Sequence, residues 1–127
     1  MSWNRANVAS ALVSVLTPVV GVKVHHLPPE TLNPMCVVVG RPQVVSYATY
    51  AFGIDDAQLP LMIVGGIETE DQIEALKDQC RDTVLSNKTL GGAVQNIFPL
   101  EERNWRNVSG AGGIQLLLVE LILQIQM

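Results

Sequence analysis

The stretch Ile114 to Gln126, IQLLLVELILQIQ, constrains this chain more than any other. Successive side chains of a strand point to opposite faces, so Leu117, Val119, Leu121, Leu123 and Ile125 make one continuous apolar face. That face requires a cover. The opposite face reads Leu116, Leu118, Glu120, Ile122, Gln124 and Gln126, apolar at first and polar toward its end. Wound as a helix, the same residues would scatter Glu120 and Gln124 among leucines with no clean stripe, so a period of two is the better fit. At roughly 3.3 Å per residue the extended run spans on the order of 40 Å, about twice the usual strand. A domain of this size is expected not to pair all of it internally, which makes a neighbouring copy the natural partner.

The size of the chain, 127 residues, implies one domain over 1–127. Hydrophobic residues make up 48% and charged residues only 16%, against about 25% charged in ordinary soluble domains. So few charges cannot coat a free surface, and part of the exterior is expected to be buried in an oligomer. A net charge of -4 with eight Lys and Arg weighs against nucleic acid as a tight ligand, since that affinity comes from neutralising phosphates. No charged leader with an apolar core opens the chain and no apolar run approaches a membrane span, so the cytoplasm is the expected compartment. Cys36 and Cys80 lie far apart on an expected strand and helix, which predicts reduced, buried thiols rather than a disulfide or a metal pair.

Taken in order, Val8, Ala11, Leu12, Val15 and Leu16 mark one helical face over Asn4 to Leu16, with Pro18 expected to end it. Val19 to Leu27 is predicted as a strand with a bend at Gly21. Its His25 and His26 are adjacent and must face opposite ways, so together they cannot chelate one metal. A polar loop framed by Pro28, Pro29 and Pro34 leads to Met35–Val39, a short apolar run expected as a buried central strand. After a turn at Gly40 to Pro42, Val44–Phe52 and Leu59–Val64 read as a hairpin joined through Gly53 to Asp56, with Pro60 acceptable only at a strand start or on an edge.

Gly65 and Gly66 are expected to separate that hairpin from a helix over Thr69 to about Ser86. Thr69 and Gln72 match a capping box, and Glu70 and Asp71 suit the positive end of the helix dipole. Ile73, Leu76, Cys80 and Val84 form its inner face, with Glu74, Lys77, Asp78, Arg81 and Asp82 assigned to the wet one. Asn87 to Gly92 stops the helix and Ala93–Phe98 gives a further strand. Residues 99–113 then form a connection far longer than the usual four to six residues, expected as a hairpin arm or functional loop. It carries Arg103, Trp105 and Arg106, and Trp with Arg is enriched where interfaces are strongest.

Catalytic signatures are missing. Gly65-Gly66 before a helix has the layout of a phosphate cradle, but without the Lys and spacing of a P-loop and with Glu68, Glu70 and Asp71 repelling an anion. No HExxH, GxSxG or CxxC occurs, and neighbouring acids such as Asp55-Asp56 or Glu101-Glu102 read as turn or surface residues. No enzyme, catalytic residue, cofactor or metal site is therefore expected.

The order of these segments resembles the tail terminator (tail completion) proteins of long-tailed phages, particularly those of actinobacterial hosts, over most of the chain. The likeness runs through Val20-Gly21-Val22-Lys23-Val24, Leu32-Asn33-Pro34 with Val37-Val38-Val39 and Pro42, and Met62-Ile63-Val64-Gly65. It continues through Thr89-Leu90-Gly91-Gly92-Ala93-Val94, the most specific piece, and the Gly112-Gly113-Ile114 turn. One departure is an uninterrupted second helix where many relatives insert a glycine-rich break.

The resemblance implies an α/β (α+β) domain, a mixed and largely antiparallel sheet with two helices on it. It also implies a homo-oligomeric ring, a hexamer, on the last ring of the tail tube. Such a ring ends tube polymerisation and joins the tail to neck or connector proteins. It sits in the virion after assembly in the host cytoplasm, with DNA passing through its lumen and no membrane involved. On this reading Leu116, Leu118, Glu120 and Ile122, with the arm at Arg103, Trp105 and Arg106, touch neighbouring subunits. The alternatives are a head-completion or stopper connector protein and, from a different class, a cytoplasmic ligand-binding or enzymatic α/β oligomer. The last would use a pocket near His25, His26, Tyr47 and Tyr50.

Overall fold

Val8, Leu12, Leu16 and Val20 recur every fourth residue, one ridge of a helix, and all four are buried. They hold α1 (Arg5–Val20) against one face of the sheet. The computed structural model describes residues 5–26, 35–46, 56–109 and 113–126. The loop expected around Pro28, Pro29 and Pro34 lies outside them, as do the hairpin link at 53–55, Tyr47, Tyr50, Gly110 and Gly112.

Pro18 does not end α1 but sits inside its last turn. A proline there gives up one hydrogen bond near a helix end, where few bonds remain to lose. Two contacts carry the chain past it: Val20 is buried in the core, and the Val19 carbonyl accepts a bond from Gln79 Nε2 at 2.8 Å. Gly21, with φ +68°, makes the stop instead. The strand expected from Val19 therefore begins only at Lys23, as β1 (Lys23–His26).

β2 (Cys36–Val39) is buried throughout and lies between β1, to which it is parallel, and β4 (Asp56–Gly66), to which it is antiparallel. β3 (Gln43–Ser46) pairs with the first part of β4 on the same edge that β2 uses further along. Pro60 falls at the junction, inside β4 rather than at its start. The N–H and C=O of a strand residue point to one edge, and the Pro60 carbonyl accepts from Gly40 N at 2.8 Å. Its missing N–H thus faces the corner where β2 hands over to β3, so no ladder bond is lost. A Cβ on Gly40 would stand 2.6 Å from Pro60 Cγ and 2.8 Å from Pro60 O, so only glycine fits that corner.

Gly65 and Gly66 are strand residues, paired with Leu117 and Leu116, not a loop before the helix. A Cβ on Gly65 would meet Met35 Sδ at 2.6 Å and Ile73 Cγ1 at 2.7 Å. The bare backbone is what lets α2 (Glu70–Leu85) approach the sheet. The expected capping box is not formed. Thr69 Oγ1 instead donates to the Gly66 carbonyl at 2.7 Å and closes the turn out of β4.

After α2, Leu90, Gly91 and Gly92 adopt φ values of 48°, 69° and 98°. Two glycines make that left-handed run affordable and let Leu90 drop into the core. β5 (Asn96–Ser109) and β6 (Gln115–Gln126) follow as a long antiparallel hairpin. The sheet is mixed and mostly antiparallel, in the order β1-β2-β4-β6-β5, with both helices packed on one face. The stretch 99–113, expected as a connection, is for the most part β5, all of which after its first three residues falls within it.

Candidate subunit interface

β6 is the centre of the molecule rather than its spare edge. Asp56 to Gly66 of β4 match Gln126 to Leu116 residue for residue on one side, and β5 runs along the other. The premise that one protomer could not pair so long a strand is thereby overturned. What sequence reasoning missed is that β4 and β5 are themselves unusually long: Pro60, Gly65 and Gly66 all lie within β4, and β5 continues through Pro99.

The odd face of β6 meets the helices: Val119, Leu121, Leu123 and Ile125 are buried with Leu12, Leu16, Ile73, Leu76 and Cys80. On the even face Leu116 is 0% exposed, Leu118 3% and Ile122 5%. Leu116 and Leu118 join Cys36, Val38 and Val64 in a second cluster, to which neither helix contributes. These three side chains are thus already withdrawn from solvent within one protomer. Glu120, half-buried between them, accepts from Arg106 Nη1 at 3.2 Å and Asn104 Nδ2 at 3.2 Å.

Two irregularities shape β5. An extra residue is accommodated at Leu100 and another at Asn104-Trp105, with Asn104 at φ +61°. Bulges bend an edge strand and break the regularity that would otherwise invite indiscriminate pairing. The first pushes Leu100 out to 47% exposure. Around the second, Trp105 folds toward the helix-side core, half-buried, while Arg106 points to the opposite face. Arg103 is exposed and paired with Glu101. The seven residues named from the sequence therefore divide: Glu120 and Arg106 come together, Leu116 and Leu118 share a cluster, Ile122 is buried outside that cluster, and Arg103 and Trp105 stand apart along the edge.

Lys77, assigned to the wet face of α2, is buried. Its ammonium bonds Glu74 at 3.0 Å and also Glu102 of β5. Burial disfavours its charge, but the hydrogen bonds it donates to Glu102 and Glu74 outweigh that and raise its pKa above the ordinary lysine value. The bond from Lys77 in turn holds the Glu102 carboxyl below its usual range. Only the Glu74–Lys77 spacing of three hinted at this latch in the sequence. A groove beside it, between α2 and β5, is lined by Glu70, Glu74, Trp105, Arg106, Asn107 and Leu117.

Both cysteines are free and buried. Among the described residues no group of three or more His, Cys, Asp or Glu is placed to hold a metal ion, and no helix is long and apolar enough to cross a membrane. His25 is half-buried and His26 exposed on β1.

No protein-family model matches the chain, and no curated protein does. Among solved structures, a chain of the virion of a native gene transfer agent (GTA) particle superposes with a TM-score of 0.62 at 12% identity. The match covers 98% of this chain and 98% of that one. At that identity the likeness establishes a shared fold, and it does so from end to end.

Proposed function

We propose that this chain is a structural subunit of a phage-type virion and, within it, the tail terminator. Copies form a ring, a hexamer, at the head-proximal end of the tail tube. That ring stops tube growth and docks onto the neck proteins, while DNA passes through the lumen. The role is mechanical and requires no catalysis.

The observation that carries this reading is the end-to-end fold likeness to a chain of a GTA virion, over nearly the whole of both chains. Supporting it, the chain has too few charges for a free surface and a net charge of -4, which suits a channel that DNA crosses without sticking. Subunit contact through Glu120, Arg103, Trp105 and Arg106 belongs to the same proposal. Contact through Leu116, Leu118 and Ile122 would be indirect, since each is already buried.

Labelling particles with an antibody to this chain tests the role. Label confined to the head-tail junction, together with overlong tails and unjoined heads when the chain is omitted, is the expected result. Tails of normal length with leaking heads would replace the terminator by a head-completion protein. Particles that lack the chain would end the virion reading altogether.

A further inference from the structure

Resting on the ring reading, we infer that neighbouring copies join head to tail along their sheet edges. β1 of one copy runs antiparallel to β5 of the next, offset so that Lys23 faces Glu101 and Val24 covers Leu100.

Charge is segregated along this chain. Residues 1–54 carry Arg5, Lys23 and Arg41 against the single acid Glu30, a net +2, whereas 55–127 carry eleven acids and five Lys or Arg, a net -6. The topology places β1, with Lys23, at one edge of the sheet and β5, with Glu101, Glu102, Arg103 and Arg106, at the other. Among the described residues β1 pairs only with β2, and β5 only with β6, so each edge presents unused backbone groups, apart from the Ile97 N–H, which donates to the Lys88 carbonyl. Joining one edge to the other generates a head-to-tail repeat that closes into a ring. β1 is parallel to β2 and antiparallel to β4, and β5 runs in the direction of β4. A repeat that keeps each sheet upright therefore brings β1 and β5 together antiparallel.

The offset follows from reading straight across the sheet. Lys23 is level with Cys36, Val64, Leu118 and Arg106, and His25 with Val38, Met62, Glu120 and Arg103. An unshifted continuation would oppose cation to cation. Residues directly paired across strands share a face, so Lys23 lies on the face away from the helices, as do Glu101, Arg103 and Arg106. Glu101, already paired with Arg103 of its own strand, is the acid that β5 carries on that face. Sliding the next copy by about four residues, roughly 13 Å, sets Lys23 against it. The same slide brings Val24, which packs toward the helix side, to Leu100. That leucine is the large apolar side chain that the first bulge leaves exposed, in a groove with Lys77, Arg81 and Glu102 on the helix side. Charge thus meets charge on one face and apolar meets apolar on the other, from two independent features of the edge.

Paired cysteines in the full chain, on a Cys36→Ala background because Cys36 stands directly opposite Lys23 on β2, test the register. Lys23→Cys with Glu101→Cys is expected to cross-link under mild oxidation into a ladder of oligomers ending at the ring. Lys23→Cys with Arg106→Cys, the straight-across pair, is expected to remain uncross-linked. Within one copy the two positions lie on opposite sheet edges, too far apart for a bond, so any ladder reports contact between copies. Lys23→Glu is expected to weaken assembly about tenfold or more, and Lys23→Glu with Glu101→Lys to restore it. A cross-link only in the straight-across pair overturns the offset. A wild-type ring in which neither pair cross-links and charge reversal changes nothing overturns the edge-to-edge contact while leaving the ring intact. A wild type that stays monomeric by mass at every concentration sinks the ring itself.

Discussion

Two glycines do work that no other residue could, and they differ in what stands opposite them. At Gly40 a Cβ would strike the Pro60 ring and carbonyl, rigid groups of a central strand. At Gly65 it would strike the ends of Met35 and Ile73, side chains with some freedom to turn away. Gly40→Ala is therefore expected to cost more than Gly65→Ala, about 3 against about 1–2 kcal/mol, as read from urea denaturation midpoints. A reversed order would mean that the Gly40 corner opens easily. Leu118 teaches a related lesson. With 3% exposure it is a core residue of a single protomer, so Leu118→Asp is expected to lose about 3 kcal/mol or more and to show it as lost folding, by circular dichroism, before any change in assembly. Glu101→Lys, on the free edge, is expected to leave the same signal within about 0.5 kcal/mol of wild type.

At the scale of elements, the Lys77 latch ties α2 to the edge strand β5. Glu102, with its carboxyl held low, contributes above the unfolded carboxylate pKa of about 4.3 and is lost as pH falls through its folded value. Lys77, with its pKa raised, contributes fully below the unfolded lysine value of about 10.4 and is lost as pH rises through its folded one. Lys77→Met keeps most of the stem packing while removing the charge. The stability gap between wild type and this variant is expected to be about 0.5–1 kcal/mol, small because both carboxylates are half-exposed. It should be flat from about pH 5 to 10 and close at both ends. A gap that ignores pH would show that packing, not charge, holds the latch.

Much of this layout was legible from the residues. The apolar spacing of α1 and α2, the buried run of β2 and the alternation of β6 all follow from periodicity, and two helices on a mixed, mostly antiparallel sheet is the architecture found. What was not legible came from non-local partners. Pro18, Pro60, Gly65 and Gly66 looked like punctuation, yet each is absorbed within an element because a distant group meets it or its neighbour: Gln79 bonds Val19 after Pro18, Gly40 bonds Pro60, and Leu117 and Leu116 pair with the two glycines. The run from Pro99 looked like a loop because the charges and bulges of an edge strand erase its alternation. For the interface residues, pattern alone could not distinguish an apolar face turned to a neighbour from one closed within the protomer.

Across the whole molecule, the sheet divides the interior into two unequal stores of apolar side chains, and each holds one cysteine: Cys80 on the helix side, Cys36 on the other. Burial pushes the Cys80 thiol up to about 12 and raises Cys36 as well. Both thiols ionise more easily unfolded, so their contribution to stability is complete below about pH 8.5 and declines as pH climbs through the folded values. A thiolate is the reactive form, and neither sulfur is both ionised and reachable in the native state near neutrality. An alkylating reagent at pH 8 is therefore expected to stay unconsumed until the chain opens, and rapid uptake by the native protein would contradict the burial of both. Because the two sulfurs sit behind different walls, the order in which they are tagged would reveal which side of the molecule gives way first, a stopwatch written into the protein without any added label.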